Sequence, residues 1–236
     1  MNGWRARIGL ISPSGDDVEY DFNNYAPKGV SFCTTRAKFP GPTPEGLIIL
    51  SDQLEKCASV WKDKGPLNVI LFGCTSGSCI KGYGFDKECI ERIERASGCP
   101  GLTTSTAVLE AYEALGLKKT AVVTPYPEDT NQAEKKFMED NGLEVLSIEG
   151  YGFNKIGPHS YADKQFLYRN AKKQKLEGAE VFFLSCMGLD TIPIVNILEE
   201  DLGIPVITSR QASLWACLRH AGIKDKVPML GKLGTL

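Results

Sequence analysis

The chain repeats itself. "ISPSGDD" and "VTPYPED" each close an apolar run on a proline, Pro13 and Pro125, while "LFGCTSG" and "LSCMGLD" each close one on a cysteine, Cys74 and Cys186. The interval from Pro13 to Cys74 equals that from Pro125 to Cys186. Farther on, "SGCPGLTTSTAVLEAYEALG" parallels "LGIPVITSRQASLWACLRHAG", with Pro100 matching Pro205 and Gly116 matching Gly222. Self-similarity of this kind constrains a fold strongly, because one plan must serve both copies. It predicts two similar lobes related by an approximate two-fold axis. Residues 1–116 form the first and 117–236 the second, with 210–236 free to pack back on the first.

Within each copy, short β-rich runs alternate with longer amphipathic stretches. The runs are "ARIGLIS", "NVILFG", "GLTT", "TAVVT", "EVLSIE", "VFFLSC" and "PVITS". The helical stretches are 44–64, 85–97, 105–116, 129–141, 161–177, 190–202 and 210–221. In "STAVLEAYEALG", Val108, Leu109, Tyr112 and Leu115 recur at helical spacing and Gly116 is a suitable stop. Alternation of this sort predicts an α/β fold: two pseudo-symmetric lobes, each a mainly parallel sheet flanked by helices.

Composition narrows the function classes. A net charge of −2 and no long basic run give no electrostatic footprint for nucleic acid or a membrane surface. No apolar run is long enough for a transmembrane helix, and the first apolar stretch looks like a strand rather than a signal peptide, so a cytoplasmic protein is expected. Homo-oligomerisation is left open. The chain has no G-x-x-x-x-G-K-[ST] or G-x-G-x-x-G loop and no G-x-S-x-G elbow, which disfavours nucleotide cofactors and a serine nucleophile. Eight cysteines without a C-x2-C pair, and two isolated histidines, argue against zinc. No metal or cofactor is expected.

Symmetry gives two of the cysteines a different standing from the rest. A buried cysteine is ordinarily a small hydrophobe, and Cys33, Cys57, Cys79, Cys89, Cys99 and Cys217 are read that way. Cys74 and Cys186 instead sit at carboxyl ends of strands, where open α/β sheets bind ligands, and facing lobes would set them across one cleft. A helix N-terminus after each strand would lower the thiol pKa and leave part of the population as thiolate. The small residues Thr75, Ser76 and Gly188 would let backbone N–H groups and hydroxyls approach an anion such as a carboxylate or an enediolate. Tyr126 takes in the second copy the place of Ser14 in the first, beside Pro125 and Pro13, and its phenol is a donor for a substrate carboxylate.

The segments "RIGLISPSG", "TPEG", "GCTSGS", "TSTAVLEAYEALGLKKTAVVTPY", "LSCMGL" and "LGIPVITS" together resemble the aspartate/glutamate racemase superfamily, within it the maleate isomerase and arylmalonate decarboxylase branch. The resemblance implies two Rossmann-like lobes with a cofactor-independent active site between them. It implies Cys74 as the nucleophile that adds to a double bond and Cys186 as the thiol that moves a proton at carbon. It further implies a carboxylate pocket from Pro13, Ser14, Thr75, Ser76, Tyr126, Asn154, Met187 and Gly188. Decarboxylases of this branch carry glycine where Cys74 stands, which favours an isomerase or racemase of a small carboxylate or dicarboxylate. The alternatives are an arylmalonate-type decarboxylase using Cys186 as proton donor, a non-catalytic carboxylate-binding protein, and a redox-sensing dithiol. "PSGDD" departs from the isomerases' "PSSN": Asp16 or Asp17, if it faced the cleft, would repel a dicarboxylate.

Overall fold

The structure is a computed structural model that describes residues 3–65, 67–153 and 162–236. Two four-stranded, all-parallel sheets form its frame. The first takes the order β2-β1-β3-β4, with β1 Ala6–Pro13, β2 Val30–Ala37, β3 Val69–Phe72 and β4 Gly101–Thr103. The second repeats it as β6-β5-β7-β8, with β5 Lys119–Thr124, β6 Glu144–Gly150, β7 Val181–Leu184 and β8 Val206–Thr208. Identical strand order is what the sequence repeat requires.

The helices are α1 Val18–Tyr25, α2 Pro44–Ser51, α3 Leu54–Ser59, α4 Thr75–Cys79, α5 Phe85–Ser97, α6 Thr104–Leu115 and α7 Glu128–Asp140. They continue with α8 Lys164–Ala171, α9 Val195–Leu202 and α10 Ser209–His220. Sequence periodicity missed α1, β2 and α4. Strand β2 is an edge strand, mostly half-buried, so "VSFCTTRA" lacks the unbroken apolar run of a central strand. The stretch 44–64 is two helices, separated at Asp52–Gln53. Pro193 opens the segment before α9 as a 3-10 turn, Ile192–Ile194.

Both faces of each sheet are buried. Along β3, Val69 and Leu71 turn to a central core, while Ile70 and Phe72 turn to an outer core under α2, α3 and α5. Along β7, Val181 and Phe183 turn inward while Phe182 and Leu184 turn outward under α8 and α9. The central core is shared by the two sheets, with α6 and α10 packed side by side in it. Helix α10 follows the last strand of the second sheet yet also packs on β3 of the first. Each fully buried side chain of Phe or Leu size contributes about 1.5–3 kcal/mol, so this junction is held far more firmly than a hinge between independent domains.

The two central helices begin alike. Thr103 caps α6 by accepting from Thr106 N (3.1 Å), and Thr208 caps α10 by accepting from Gln211 N (3.1 Å). Gln211 Oε1 returns a bond from Thr208 N at 2.8 Å, completing a capping box. The caps stand at the ends of β4 and β8, and the first residue of each helix then bonds beside a cysteine: Thr104 Oγ1 donates to Phe72 O at 3.2 Å, and Ser209 Oγ accepts from Cys186 N at 2.9 Å.

Candidate functional site

Cys74 follows β3 after one intervening residue, Gly73, and is the N-cap of α4; its Sγ accepts from Gly77 N at 3.3 Å. Residue 77 has to be glycine for this: a Cβ there would come within 2.9 Å of Cys74 Sγ. Ser76 Oγ stands 4.0 Å from the same sulfur. The "TSGS" segment, expected as hydroxyl donors open to an anion, is a helical turn. Its Ser78 hydroxyl is spent inside, on Cys74 O (2.8 Å), Thr75 O (3.0 Å) and Ser105 Oγ (2.7 Å).

Cys186 occupies the matching position after β7. Its Sγ accepts from Gly188 N at 3.3 Å, so this backbone donor faces the thiol. Its φ is +111°, and only Asp63 shares a positive value among the described non-glycine residues. A side chain in that region is strained and persists only where its surroundings dictate it. Two fixing contacts are visible. Cys186 N donates to Ser209 Oγ at 2.9 Å, and the neighbouring Met187 carbonyl accepts from Arg210 Nε at 2.7 Å.

Ser209 joins the two halves of the site, because the same Oγ accepts from Thr75 Oγ1 at 2.8 Å. The Thr75 hydroxyl is therefore committed to Ser209. From the second half, Met187 also reaches the end of β3: a Cβ on Gly73 would lie 3.6 Å from Met187 Cε. The two thiols come close enough for charge on Cys186 to oppose ionisation of Cys74, and Tyr126 feels both. Tyr126 is buried, and its hydroxyl lies near enough to the Cys186 thiol to favour the ionised sulfur.

The β1–α1 loop closes another side. Pro13 ends β1, and its carbonyl accepts from Asp16 N and from Arg36. The Ser14 hydroxyl accepts from Phe39 N at 3.1 Å and so ties the loop to the segment after β2. Asp16 turns toward the cleft, where its charge bears on Cys74 and Cys186 alike. Asp17 is largely exposed and binds Arg210 at 2.7 Å. Asn154 lies outside the described residues.

Burial decides the protonation states. It pushes Cys186 up to about 12, more than the Tyr126 hydroxyl and the Gly188 N–H lower it, and it pushes Cys74 higher still despite the Gly77 N–H. Burial therefore works against the thiolate fraction expected at neutral pH. Helix α4 is a single turn and no α-helix starts at Cys186, so the dipole contribution is too small to offset desolvation. Tyr126 is likewise held neutral by burial. Burial raises the Asp16 carboxyl to about 6, against the opposing pull of Arg210 and Arg36.

Sequence reasoning missed Ser209 and Arg210. Arg210 is 2% exposed and binds Asp17, Asp21 and the Met187 carbonyl, linking α10 to α1 and to the Cys186 loop. The available signal was its position as the one charged residue in "PVITSRQASLWACL". Among the described residues no cluster of His, Cys, Asp and Glu could hold a metal ion, and no helix is long and apolar enough to cross a membrane.

Residues 8–234 match the family model described as arylmalonate decarboxylase. The arylmalonate decarboxylase of Bordetella bronchiseptica is 29% identical over 194 residues, 81% of this chain and 80% of its own. The maleate isomerase of Nocardia farcinica is 26% identical over 245 residues, 96% of this chain and 94% of its own. A solved mutant of the Nocardia farcinica maleate cis-trans isomerase, with a covalently bound succinylcysteine intermediate, shares the fold. Its TM-score is 0.91 at 22% identity, covering 98% of both chains.

Proposed function

The chain belongs to the arylmalonate decarboxylase family, and from that premise we propose that it is a two-thiol, cofactor-independent isomerase or racemase of a small carboxylate or dicarboxylate. One observation carries the proposal: Cys74 and Cys186 stand at equivalent strand ends, each with a backbone N–H on its sulfur, in one buried site joined through Ser209. A decarboxylase needs a single proton donor; a second thiol in the matching place has work only where two faces or two carbons of a substrate are handled.

In the cis–trans reaction the Cys74 thiolate adds to one alkene carbon, and the electron pair moves to the neighbouring carbon and its carboxylate. Cys186 protonates that carbon, the former double bond rotates, and return of the proton to Cys186 expels the Cys74 sulfur. In the racemase reaction one thiolate removes the proton α to the carboxylate and the other thiol delivers one to the opposite face. The neutral Cys186 found in the cleft is the form that donates. Cys74 must first lose its proton, so turnover rises with pH. Tyr126 and the Gly77 and Gly188 N–H groups supply donors for charge developing on sulfur, each such donor being worth up to about 2.7–4 kcal/mol at a transition state. A covalent succinylcysteine in the related Nocardia farcinica enzyme supports sulfur addition as the chemistry of a thiol in this family.

The match to arylmalonate decarboxylases favours a second reading, in which Cys186 alone protonates the enediolate left by loss of carbon dioxide. Incubation with maleate, aspartate, glutamate and aryl- or alkylmalonates in deuterated water separates the two. Isomerisation or racemisation should vanish in both Cys74→Ala and Cys186→Ala. Turnover of a malonate that survives Cys74→Ala establishes the decarboxylase instead. Binding of dicarboxylates with neither turnover nor deuterium uptake would refute both enzymatic readings.

A further inference from the structure

Helix α7 buries Thr130, Asn131, Glu134, Phe137 and Met138 along one face. Glu134 is the anomaly on that stripe. It is 2% exposed, and neither of its carboxyl oxygens completes a hydrogen bond among the described residues. The Ser185 hydroxyl lies beside it, also without a completed hydrogen bond, and is adjacent in sequence to Cys186. Glu134 also lines a small pocket of about 10 Å³ together with Thr75, Cys79 and Ser105, room for about one water molecule. The carboxyl therefore sits behind both halves of the site: behind Cys186 through Ser185, and behind α4 through Thr75 and Cys79.

An ionised carboxylate without hydrogen bonds or a cation is among the costliest groups a protein can bury, and a neutral carboxyl costs far less. Among the described residues no lysine, arginine or histidine bears on Glu134. The titratable groups that face it are Cys79 from α4, Tyr112 from α6, Tyr126 after β5 and Cys186 after β7, and its negative charge would oppose the ionisation of every one. Burial holds the carboxyl protonated up to about pH 7, so its change of charge falls within the working range of an enzyme.

We propose that Glu134 is a positioning residue for the thiol pair: a proton-bearing carboxyl that, on losing its proton, sets an uncompensated negative charge behind Cys186 and adds to the burial that keeps that thiol in its neutral, proton-donating form. Its bearing on turnover rests on the two-thiol reading above; its effect on the thiol does not. Above neutral pH the ionised carboxylate would add to the cost of a Cys186 thiolate and so favour Cys186 as the protonated member of the pair. A glutamine of the same shape cannot do this.

The test is the rate of iodoacetamide labelling at Cys186, followed by peptide mass spectrometry from pH 5.5 to 9.5 in the full-length protein, in Glu134→Gln and in Glu134→Leu. Both variants should label like the parent at pH 5.5, where all carry a neutral group at position 134. At pH 8.5 they should label about three- to tenfold faster, because the opposing charge is gone. Circular dichroism identifies any variant that fails to fold, and either variant suffices. Superimposable pH profiles in the parent and a folded variant would overturn the proposal. Turnover measured alongside keeps the two readings apart. A profile that responds to Glu134 in a protein without activity supports the positioning role and counts against the enzyme; activity with an unresponsive profile does the reverse.

Discussion

The Thr75 hydroxyl donates to Ser209 Oγ at 2.8 Å, across the junction between the two sheets. Because Ser209 also accepts from Cys186 N, one oxygen fixes the residue after the first thiol and the backbone of the second. The separation of the two sulfurs is thereby set by a bond that belongs to neither of them.

Removing that oxygen should be expensive. Ser209→Ala leaves the Cys186 N–H and the Thr75 hydroxyl buried without an acceptor, a loss of about 2–4 kcal/mol, which lowers the thermal midpoint by about 5–10 °C. Turnover should fall more than substrate affinity, because the thiols are misplaced while the cleft remains. Ser209→Thr keeps the oxygen and should recover most of the stability. A calorimetric midpoint for Ser209→Ala within about 1 °C of the parent would show that water replaces the bond without cost.

The backbone of Cys186 offers a second measurement. At φ +111° a Cβ is strained and glycine is not, so the usual penalty of glycine relative to alanine should reverse. Cys186→Gly and Cys186→Ala both lose the thiol, its hydrogen bonds and all turnover. Of the two, the glycine variant should be the more stable, by about 1 kcal/mol in denaturant midpoints. If alanine proves the more stable, the loop relaxes once sulfur is removed and the strain is not imposed by its surroundings.

Asp16 makes anion binding depend on pH. Its carboxyl is raised to about 6 by burial, so it is neutral below that pH and negative above it. A neutral Asp16 can donate to a bound carboxylate, whereas a charged one repels it. The affinity for malonate, measured by calorimetry and corrected for malonate's own ionisation, should fall about tenfold between pH 5 and pH 7.5. Asp16→Asn should flatten that dependence and bind more tightly at pH 7.5. An unchanged dependence in the asparagine variant would place the aspartate away from the bound anion.

The fold was legible to a large degree because two periodicities coincide. Strands β3 and β7 bury both faces, so each reads as an uninterrupted apolar run, and the equal spacing of prolines and cysteines forces the same strand order twice. Where burial is partial the signal faded: β2 is an edge strand, and α1 carries Asp17 just before it and Asp21 within it, whose partner Arg210 is remote in sequence. The site followed the same division. Cys74 and Cys186 could be singled out by symmetry, but Ser209, Arg210 and Glu134 could not, because each takes its meaning from groups far away along the chain.

By itself the sequence determined that the chain builds two like α/β halves and that a cysteine stands at an equivalent strand end in each, since apolar periodicity and repeat spacing are properties of the chain's order. Only the tertiary structure decided the condition of those cysteines. A hydroxyl-rich segment beside a thiol suggests an exposed anion cradle, yet folding turns it into a helical turn whose hydroxyls are largely spent internally. The same folding removes water from both sulfurs and leaves them neutral. Desolvation depends on everything that packs around a group, and that sum is not written in its neighbours along the chain.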